Sequence, residues 1–124
     1  MGAAVQYLRD ERNVFFLALE AQEPVGFLRG TVLRQIHTER PQMFLYEIGV
    51  APAYRRQGIG RSLVRALIAH CQDRGFDEIF VLTDPANSAA VSLYQSTGGR
   101  PETPADRMFV YHLDAPRRPS PKRS

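Results

Sequence analysis

The stretch from residue 42 to residue 74 constrains most strongly what this chain can fold into. Between Gln42 and Val50 apolar residues alternate with less apolar ones, which is the period of a β-strand. The apolar positions in this alternation are Phe44, Tyr46, Ile48 and Val50. Pro52 ends the strand because proline cannot donate to a strand ladder. From Gly60 to Arg74 apolar residues recur at helical spacing. The stretch therefore predicts a strand, a short basic loop and a long amphipathic helix.

The loop between this strand and this helix has the features of an anion-binding site. The first four N–H groups of a helix have no partner within the helix, and the macrodipole adds roughly half a positive charge there. Gly58 and Gly60 let the backbone approach a ligand closely, and Arg55 and Arg56 add charge at longer range. A pyrophosphate is a natural ligand for such a helix N-terminus. The loop lacks both the dinucleotide pattern G-x-G-x-x-G and the Gly-Lys-Ser/Thr of a nucleoside-triphosphate loop.

The segments before this unit predict a β-hairpin. The last turn or two of a helix at Gln6 to Arg12 is followed by apolar strands over Val14 to Leu19 and Val25 to Leu33. Gly26 and Gly30 indicate a bend or a bulge in the second strand. The strand at residues 42–50 is predicted to lie antiparallel to that second strand.

The segments after the long helix predict a parallel strand and a second helix. Residues 78–83 form a continuous apolar strand, typical of a buried parallel strand, so the long helix crosses over within a right-handed βαβ unit. A short helix follows Asn87 and ends at Gly98-Gly99, and Met108 to Leu113 alternates as a last strand. Residues 115–124 contain three prolines and four basic residues and are predicted to be a disordered tail. The domain is therefore predicted to span residues 1–114.

Composition excludes several classes of protein. The chain has 124 residues, of which 44% are apolar and 23% charged, the balance of one soluble globular domain. Its single cysteine excludes internal disulfides and agrees with a reducing cytoplasm. No run approaches the ~20 apolar residues of a membrane-spanning helix. The net charge of +3 includes four cations in the last eight residues and would be −1 without them, so nucleic-acid binding by the folded part is not predicted.

Several candidate functional side chains are better explained by the core. Cys71 lies on the apolar side of the long helix, and the aromatic residues near the N-terminus are predicted to be buried rather than to stack on bases. These aromatic residues are Tyr7, Phe15, Phe16 and Phe27. The three histidines have no metal-ligand spacing, so no metal site is predicted.

Three motifs in this order resemble the GNAT N-acetyltransferase superfamily over about residues 7 to 113. They are the loop Arg55-x-x-Gly58-x-Gly60 after the strand, Asn87 before the second helix, and Leu93-Tyr94 followed by Gly98. The run from Tyr46 into Ile59 is similar to the aminoglycoside 3-N-acetyltransferase branch. The resemblance implies an α/β fold with a mixed, largely antiparallel sheet around a central parallel βαβ unit. Only about a dozen residues precede Asn13, so the family's N-terminal strand and helical pair are expected to be shortened.

The resemblance implies acetyl-CoA as the acetyl donor and assigns residues to it. The pyrophosphate would be held by the loop, whose residues are Arg55, Arg56, Gln57, Gly58, Ile59 and Gly60. The pantetheine arm would pair with the backbone of Ile48 and Val50, where this strand splays from its neighbour in GNAT proteins. Asn87 would bond the pantetheine amide, and it is also a good N-cap for the short helix, a role that does not exclude the first.

Two residues are assigned to the chemistry. Glu47 would bind the incoming ammonium and accept its proton, directly or through water; the alternative is a strand carboxylate that faces solvent or pairs with an arginine on a neighbouring strand. Tyr94 matches the GNAT tyrosine that donates a proton to the departing CoA sulfur; the alternative is a core aromatic residue with its hydroxyl at the surface.

The sequence thus predicts an enzyme, an N-acetyltransferase that moves an acetyl group to a primary amine by direct attack in a ternary complex. The acceptor would be an aminoglycoside or another small cationic amine. The alternatives are a protein-amine acetyltransferase and a non-catalytic acyl-CoA-binding module. The expected location is the cytoplasm, away from membranes, and a homodimer would cover the sheet edge left by the shortened N-terminus.

Overall fold

The computed structural model describes residues 2–101 and residue 111. In chain order the elements are α1 (Ala3–Arg9), β1 (Asn13–Glu20), β2 (Glu23–Leu33), β3 (Gln42–Val50), a 3₁₀ turn (Pro52–Tyr54), α2 (Ile59–Asp73), β4 (Glu78–Phe80) and α3 (Ser88–Ser96). The strands form one sheet in the order β1-β2-β3-β4. The first three are antiparallel, whereas β3 and β4 are parallel across α2. The predicted mixed sheet with a central βαβ unit is confirmed.

The first helix has other bounds than predicted, and the predicted last strand and tail lie largely outside the described residues. The first helix covers Ala3–Arg9 rather than Gln6 to Arg12, because the chain turns at Asp10, whose carbonyl accepts the N–H of Asn13 at 3.0 Å. The predicted last strand at Met108 to Leu113 lies outside the described residues except for Tyr111, and the predicted tail at residues 115–124 lies wholly outside them.

A two-residue turn closes the predicted hairpin. Ala21 and Gln22 have φ values of 49° and 71°, and Glu20 pairs with Glu23 across the turn. Two successive positive φ values are typical of a type I′ turn, whose twist matches the right-handed twist of the flanking strands. The hairpin therefore places β1 beside β2 with a defined register.

The core lies between α2 and one face of the sheet. Its buried members from the sheet and the helix are Leu28, Met43, Leu45, Leu63, Val64, Leu67 and Cys71. The helix ends at Asp73, and Gly75 with φ 73° is a left-handed residue just beyond its C-terminus. Burial of Cys71 is confirmed, and this burial raises the pKa of its thiol to about 11. The thiol therefore stays protonated at neutral pH.

The opposite face of the sheet, here called the open face, keeps much apolar surface. Phe15, Leu17 and Leu19 are 41–56% exposed, and the ring of Phe15 stacks on that of Phe27 at 6.0 Å between centroids. Successive strand residues point to opposite sides, and Phe16 takes the side that packs against the core. The prediction that Phe15 is a core residue was therefore wrong.

Two bulges interrupt the strand pairing, both next to the glycines that predicted them. In the first, Ala18 pairs with Gly26 and the next pair skips Val25. In the second, Arg29 pairs with Glu47 and Gly30 with Leu45, so Tyr46 is the extra residue. Tyr46 and Glu47 are consecutive and both exposed. The predicted strict alternation through the third strand therefore breaks at Tyr46.

Gly30 is packed too tightly to accept a side chain. A Cβ placed there would lie 2.9 Å from the carbonyl oxygen of Phe44 and 3.0 Å from Sδ of Met43. We expect Gly30→Ala to lower the free energy of unfolding by about 1–3 kcal/mol, the usual cost of overpacking. Thermal melting measures the change. Gly2→Ala, at a site with no atom within 4 Å of the added methyl, is the control. A Gly30→Ala protein that melts with the native one would contradict the described bulge.

Candidate functional site

The loop before α2 presents a run of free backbone donors. Arg56 and Gly58 have φ values of 64° and 85°, and α2 begins directly afterwards at Ile59. Within the described residues, no backbone N–H from Arg56 to Arg61 donates to another protein group. Successive free N–H groups in such a turn form a concavity that binds anions, and the helix dipole adds positive potential. The loop therefore has a geometry suited to an anion, and its binding of pyrophosphate stays a prediction.

The side chains of the loop connect it to the strand and to solvent. The Nε–H of Arg55 donates to the carbonyl oxygen of Val50 at 3.1 Å, and Gln57 donates from Nε2 to the carbonyl of Ala53 at 3.4 Å. Arg56 is exposed, and the ion pairs found in the described part of the chain involve neither of these arginines. Arg55 therefore braces the loop against the end of β3, while Arg56 adds charge at the surface.

The third and fourth strands part before β3 ends. Their pairing stops at Phe44 and Phe80, whose rings stack at 4.9 Å between centroids. Beyond that point, among the described residues, Ile48 and Val50 pair with β2 alone. The prediction that the fourth strand extends to Thr83 was wrong, because the chain leaves the ladder after Phe80. The divergence opens one side of β3 along the segment that leads into the loop.

Helix α3, which follows β4, packs against the start of α2. A Cβ placed on Gly60 would lie 3.4 Å from Cδ2 of Leu93, so α3 lies against the first turn of α2. Tyr94 follows Leu93 and is partly buried, and this burial raises the pKa of its phenol. The hydroxyl is therefore protonated at neutral pH, the state that a proton donor needs.

Asn87 is the N-cap of α3, one of its two predicted roles. Its Oδ1 accepts the backbone N–H of Ala90 at 3.1 Å. The turn before it is closed by the N–H of Asn87, which donates to the carbonyl of Asp84 at 2.8 Å. Capping uses only the acceptor end of the amide, which leaves Nδ2 as a donor.

Glu47 is paired with an arginine across the sheet. The Nε–H of Arg29 on β2 donates to Oε1 of Glu47 at 2.7 Å, and the two side chains are 30% and 49% exposed. The guanidinium carbon of Arg29 lies 4.0 Å from the centroid of the Tyr46 ring. The predicted alternative, an ion pair with a neighbouring strand, is thus what the structure shows. The half-exposed carboxylate keeps Oε2 without a hydrogen bond among the described residues.

Arg29 was not predicted from the sequence to belong to the site. The signal that would have found it is the strand register, which places it opposite Glu47 only once the bulge at Tyr46 is counted. Ile48, Val50 and the loop are continuous along the chain, and α3 brings Tyr94 to the same end of α2. Glu47 and Tyr94 share no hydrogen bond in the part of the chain that is described.

The described residues contain neither a candidate metal-binding cluster nor a candidate membrane-spanning helix. They hold no cluster of three or more His, Cys, Asp or Glu side chains suited to a metal ion. None of their helices combines the length and the apolar character needed to cross a bilayer.

Comparison with known proteins identifies the family. The profile of the "Acetyltransferase (GNAT) family" matches residues 3–98. The chain belongs to the GNAT acetyltransferase family. This GNAT domain has the fold class predicted from its motifs, and acetyl-CoA is the acetyl donor of the family.

Individual relatives of this GNAT domain differ in name and length. A mycothiol acetyltransferase of Thermobispora bispora is 42% identical over 85 residues, which are 68% of this chain and 29% of that protein. N-acetyltransferase family 8 member 3 of Rattus norvegicus is 32% identical over 92 residues, which are 74% of this chain and 40% of that protein. The chain thus spans well under half the length of these curated relatives.

One solved structure is similar to this chain over most of the length of both. It is an aminoglycoside acetyltransferase from an uncultured soil metagenomic sample, in complex with trehalose. It superposes with a TM-score of 0.82 at 32% identity and covers 88% of this chain and 71% of that chain.

Proposed function

We propose that this GNAT domain is an acetyl-CoA-dependent N-acetyltransferase that moves the acetyl group to a primary amine. The observation that carries the proposal is the run of N–H groups from Arg56 to Arg61, at the start of α2, that donate to no protein group in the described part of the chain. This run adjoins the end of β3, on the strand that parts from β4. A diphosphate at the loop and an extended thioester arm beside β3 fit these two features.

The donor would be held mainly by backbone groups. The residues proposed for the pyrophosphate are Arg55, Arg56, Gln57, Gly58, Ile59 and Gly60. Ile48 and Val50 would pair with the pantetheine arm along the edge of β3 from which β4 has parted. Arg55 would release the carbonyl of Val50 if the arm forms a hydrogen bond there. The Nδ2 of Asn87, which has no hydrogen-bond acceptor among the described residues, would donate to a pantetheine carbonyl.

The transfer would proceed by direct attack in a ternary complex. The amine nitrogen forms a bond to the thioester carbonyl carbon, and the carbon–sulfur bond breaks to release CoA. Glu47 takes the proton that the ammonium loses before the attack. Tyr94 gives a proton to the departing thiolate and regains one from the nitrogen as the amide forms. The lone cysteine is buried in the core with a raised thiol pKa, which argues against an acyl-enzyme intermediate on this residue.

The acceptor proposed is an aminoglycoside-like or other small cationic amine. Support comes from the half-exposed Glu47 carboxylate and from the aminoglycoside acetyltransferase that superposes on this chain. We also propose that the protein works in the cytoplasm and as a homodimer. The support for a dimer is that β1 has no partner on its outer edge among the described residues and carries exposed Phe15, Leu17 and Leu19.

A free-thiol release assay over a panel of amines tests the proposal. The panel contains aminoglycosides, simple polyamines and a lysine-containing peptide, and the melting temperature is measured with and without acetyl-CoA. We expect acetyl-CoA to raise the melting temperature and an aminoglycoside or polyamine to release thiol. Release only with the peptide favours the protein-amine enzyme. Stabilisation without release from any amine favours a non-catalytic acyl-CoA-binding module and contradicts the proposed enzyme.

A further inference from the structure

We propose that Arg29 is a positioning residue that orients the carboxylate of Glu47 toward the acceptor amine. This inference rests on the proposed function, in which Glu47 receives the proton. The contact between them is a short charge-assisted hydrogen bond of 2.7 Å from Nε to Oε1. Arg29 pairs with Glu47 in the β2–β3 register, so the bond joins directly opposed residues of one sheet.

The bulge explains why Arg29 reaches two side chains of β3. In a regular strand, consecutive residues point to opposite faces. Here Tyr46 is the extra residue, and both Tyr46 and Glu47 are exposed and contact the Arg29 side chain. Bulges commonly redirect a side chain in this way near active sites. The bulge therefore turns a tyrosine and a carboxylate toward one guanidinium.

The guanidinium is held by aromatic rings as well as by the carboxylate. Its carbon lies 4.0 Å from the ring centroid of Tyr46 and 5.5 Å from that of Tyr7. A planar guanidinium over an aromatic face gains cation–π attraction, and fixing it limits the rotamers that it samples. The Arg29 side chain is thus held in place where it contacts Glu47, unlike a side chain that moves freely at the surface.

Tyr7 connects this arrangement to the first helix. Its hydroxyl lies 2.9 Å from the carbonyl oxygen of Val14 and 2.8 Å from that of Gly30, which follows Arg29 at the bulge. The single hydroxyl proton is shared between these two carbonyl oxygens, and this contact ties α1 to β1 and β2 beside the bulge. Tyr7 therefore supports the backbone from which Arg29 projects.

The consequence concerns geometry at the reacting amine. Arg29 occupies Oε1, so the amine would approach Oε2, which has no hydrogen bond among the described residues. A carboxylate fixed in one rotamer presents this oxygen in a constant direction. Misplacement of a reacting group by about 1 Å can cost on the order of 10²-fold in rate. Arg29 would therefore affect turnover without touching either substrate.

A double-mutant cycle tests the inference on the full chain. We expect Arg29→Gln to lower kcat by about 10- to 100-fold with little change in the KM for acetyl-CoA. In a Glu47→Gln background the same change should have no further effect, because no carboxylate is left to orient. Arg29→Lys should recover part of the loss, since lysine keeps the charge and lacks the planar fork. Arg12→Gln removes a comparable surface pair with Asp10 and should leave kcat unchanged.

The outcomes that contradict the positioning role of Arg29 can be told apart from those that contradict the proposed enzyme. Native kcat in Arg29→Gln, or an equal loss in the Glu47→Gln background, overturns the positioning role. A loss accompanied by a lowered melting temperature and a raised acetyl-CoA KM in both Arg29 variants assigns Arg29 to the fold and also overturns it. Native rates in Glu47→Gln alone remove Glu47 from the chemistry, so both the proposed base and the role of Arg29 fail. If the native chain releases no thiol with any amine, the proposed enzyme itself fails and the role of Arg29 fails with it.

Discussion

Replacing Glu47 with glutamine is expected to lower kcat for acetyl transfer by about 10²- to 10⁴-fold, the range that a positioned general base contributes. Glutamine has nearly the same shape and can still accept a hydrogen bond from Arg29, so the fold and the bulge should be retained. It cannot take a proton from the ammonium. Steady-state kinetics with saturating acetyl-CoA measure the loss, and the KM for acetyl-CoA should stay near the native value.

Glu78 offers a matched control for this change. Within the part of the chain that the structure describes, it is also an exposed strand glutamate with one side-chain partner, since Gln42 donates to its carboxylate at 2.7 Å. Glu78→Gln should therefore leave kcat unchanged. If Glu47→Gln keeps native kcat, or if both variants lose the same activity, Glu47 is a surface carboxylate paired with Arg29 and not the base.

Replacing Tyr94 with phenylalanine is expected to lower kcat by about 10²-fold while acetyl-CoA still binds with native affinity. The ring is partly buried against the core and would be kept, so the change removes only the hydroxyl proton. Without it, CoA must leave as a thiolate. Kinetics and isothermal titration with acetyl-CoA separate turnover from binding.

The pH dependence gives this prediction a second readout. Burial raises the pKa of Tyr94 above its ordinary value of 10.0, so the phenol is protonated at neutral pH and loses its proton only in strongly alkaline solution. Native kcat should fall as pH rises through that range, because a phenolate cannot donate. Tyr94→Phe should lack this alkaline limb, and Tyr111→Phe, at an exposed tyrosine, should keep it. Equal loss of binding and turnover in Tyr94→Phe would remove Tyr94 from the acid role.

The local signals of the sequence predicted the βαβ unit well. Pro52 and the glycines of the loop act through the backbone geometry that is intrinsic to each residue, so the end of the strand and the loop were both predictable. The amphipathic spacing of α2 likewise predicted its buried face, including Leu67 and Cys71. Predicting these features does not require knowing which residues distant in the sequence they contact.

Features that depend on pairing between strands were harder to predict. Gly30 indicated a bulge, but only the register shows that Tyr46 is the extra residue and that Arg29 meets Glu47. The length of β4 depends on where it parts from β3, and its apolar sequence continues past Phe80 although the ladder does not. Phe15 was misassigned because a strand with apolar residues on both faces does not reveal which face the helix covers.

Binding of acetyl-CoA to the loop tests the central claim most directly, by isothermal titration of the native chain, Gly58→Ala and Gly75→Ala. Both glycines have positive φ, 85° and 73°, with no atom within 4 Å of an added methyl. Each alanine should therefore cost about 1–2 kcal/mol of backbone strain, but only Gly58 belongs to the run of free donors. We predict one acetyl-CoA bound per native chain, the same affinity in Gly75→Ala, and at least about tenfold weaker binding in Gly58→Ala. No binding to the native chain, or equal affinity in all three proteins, would contradict the account.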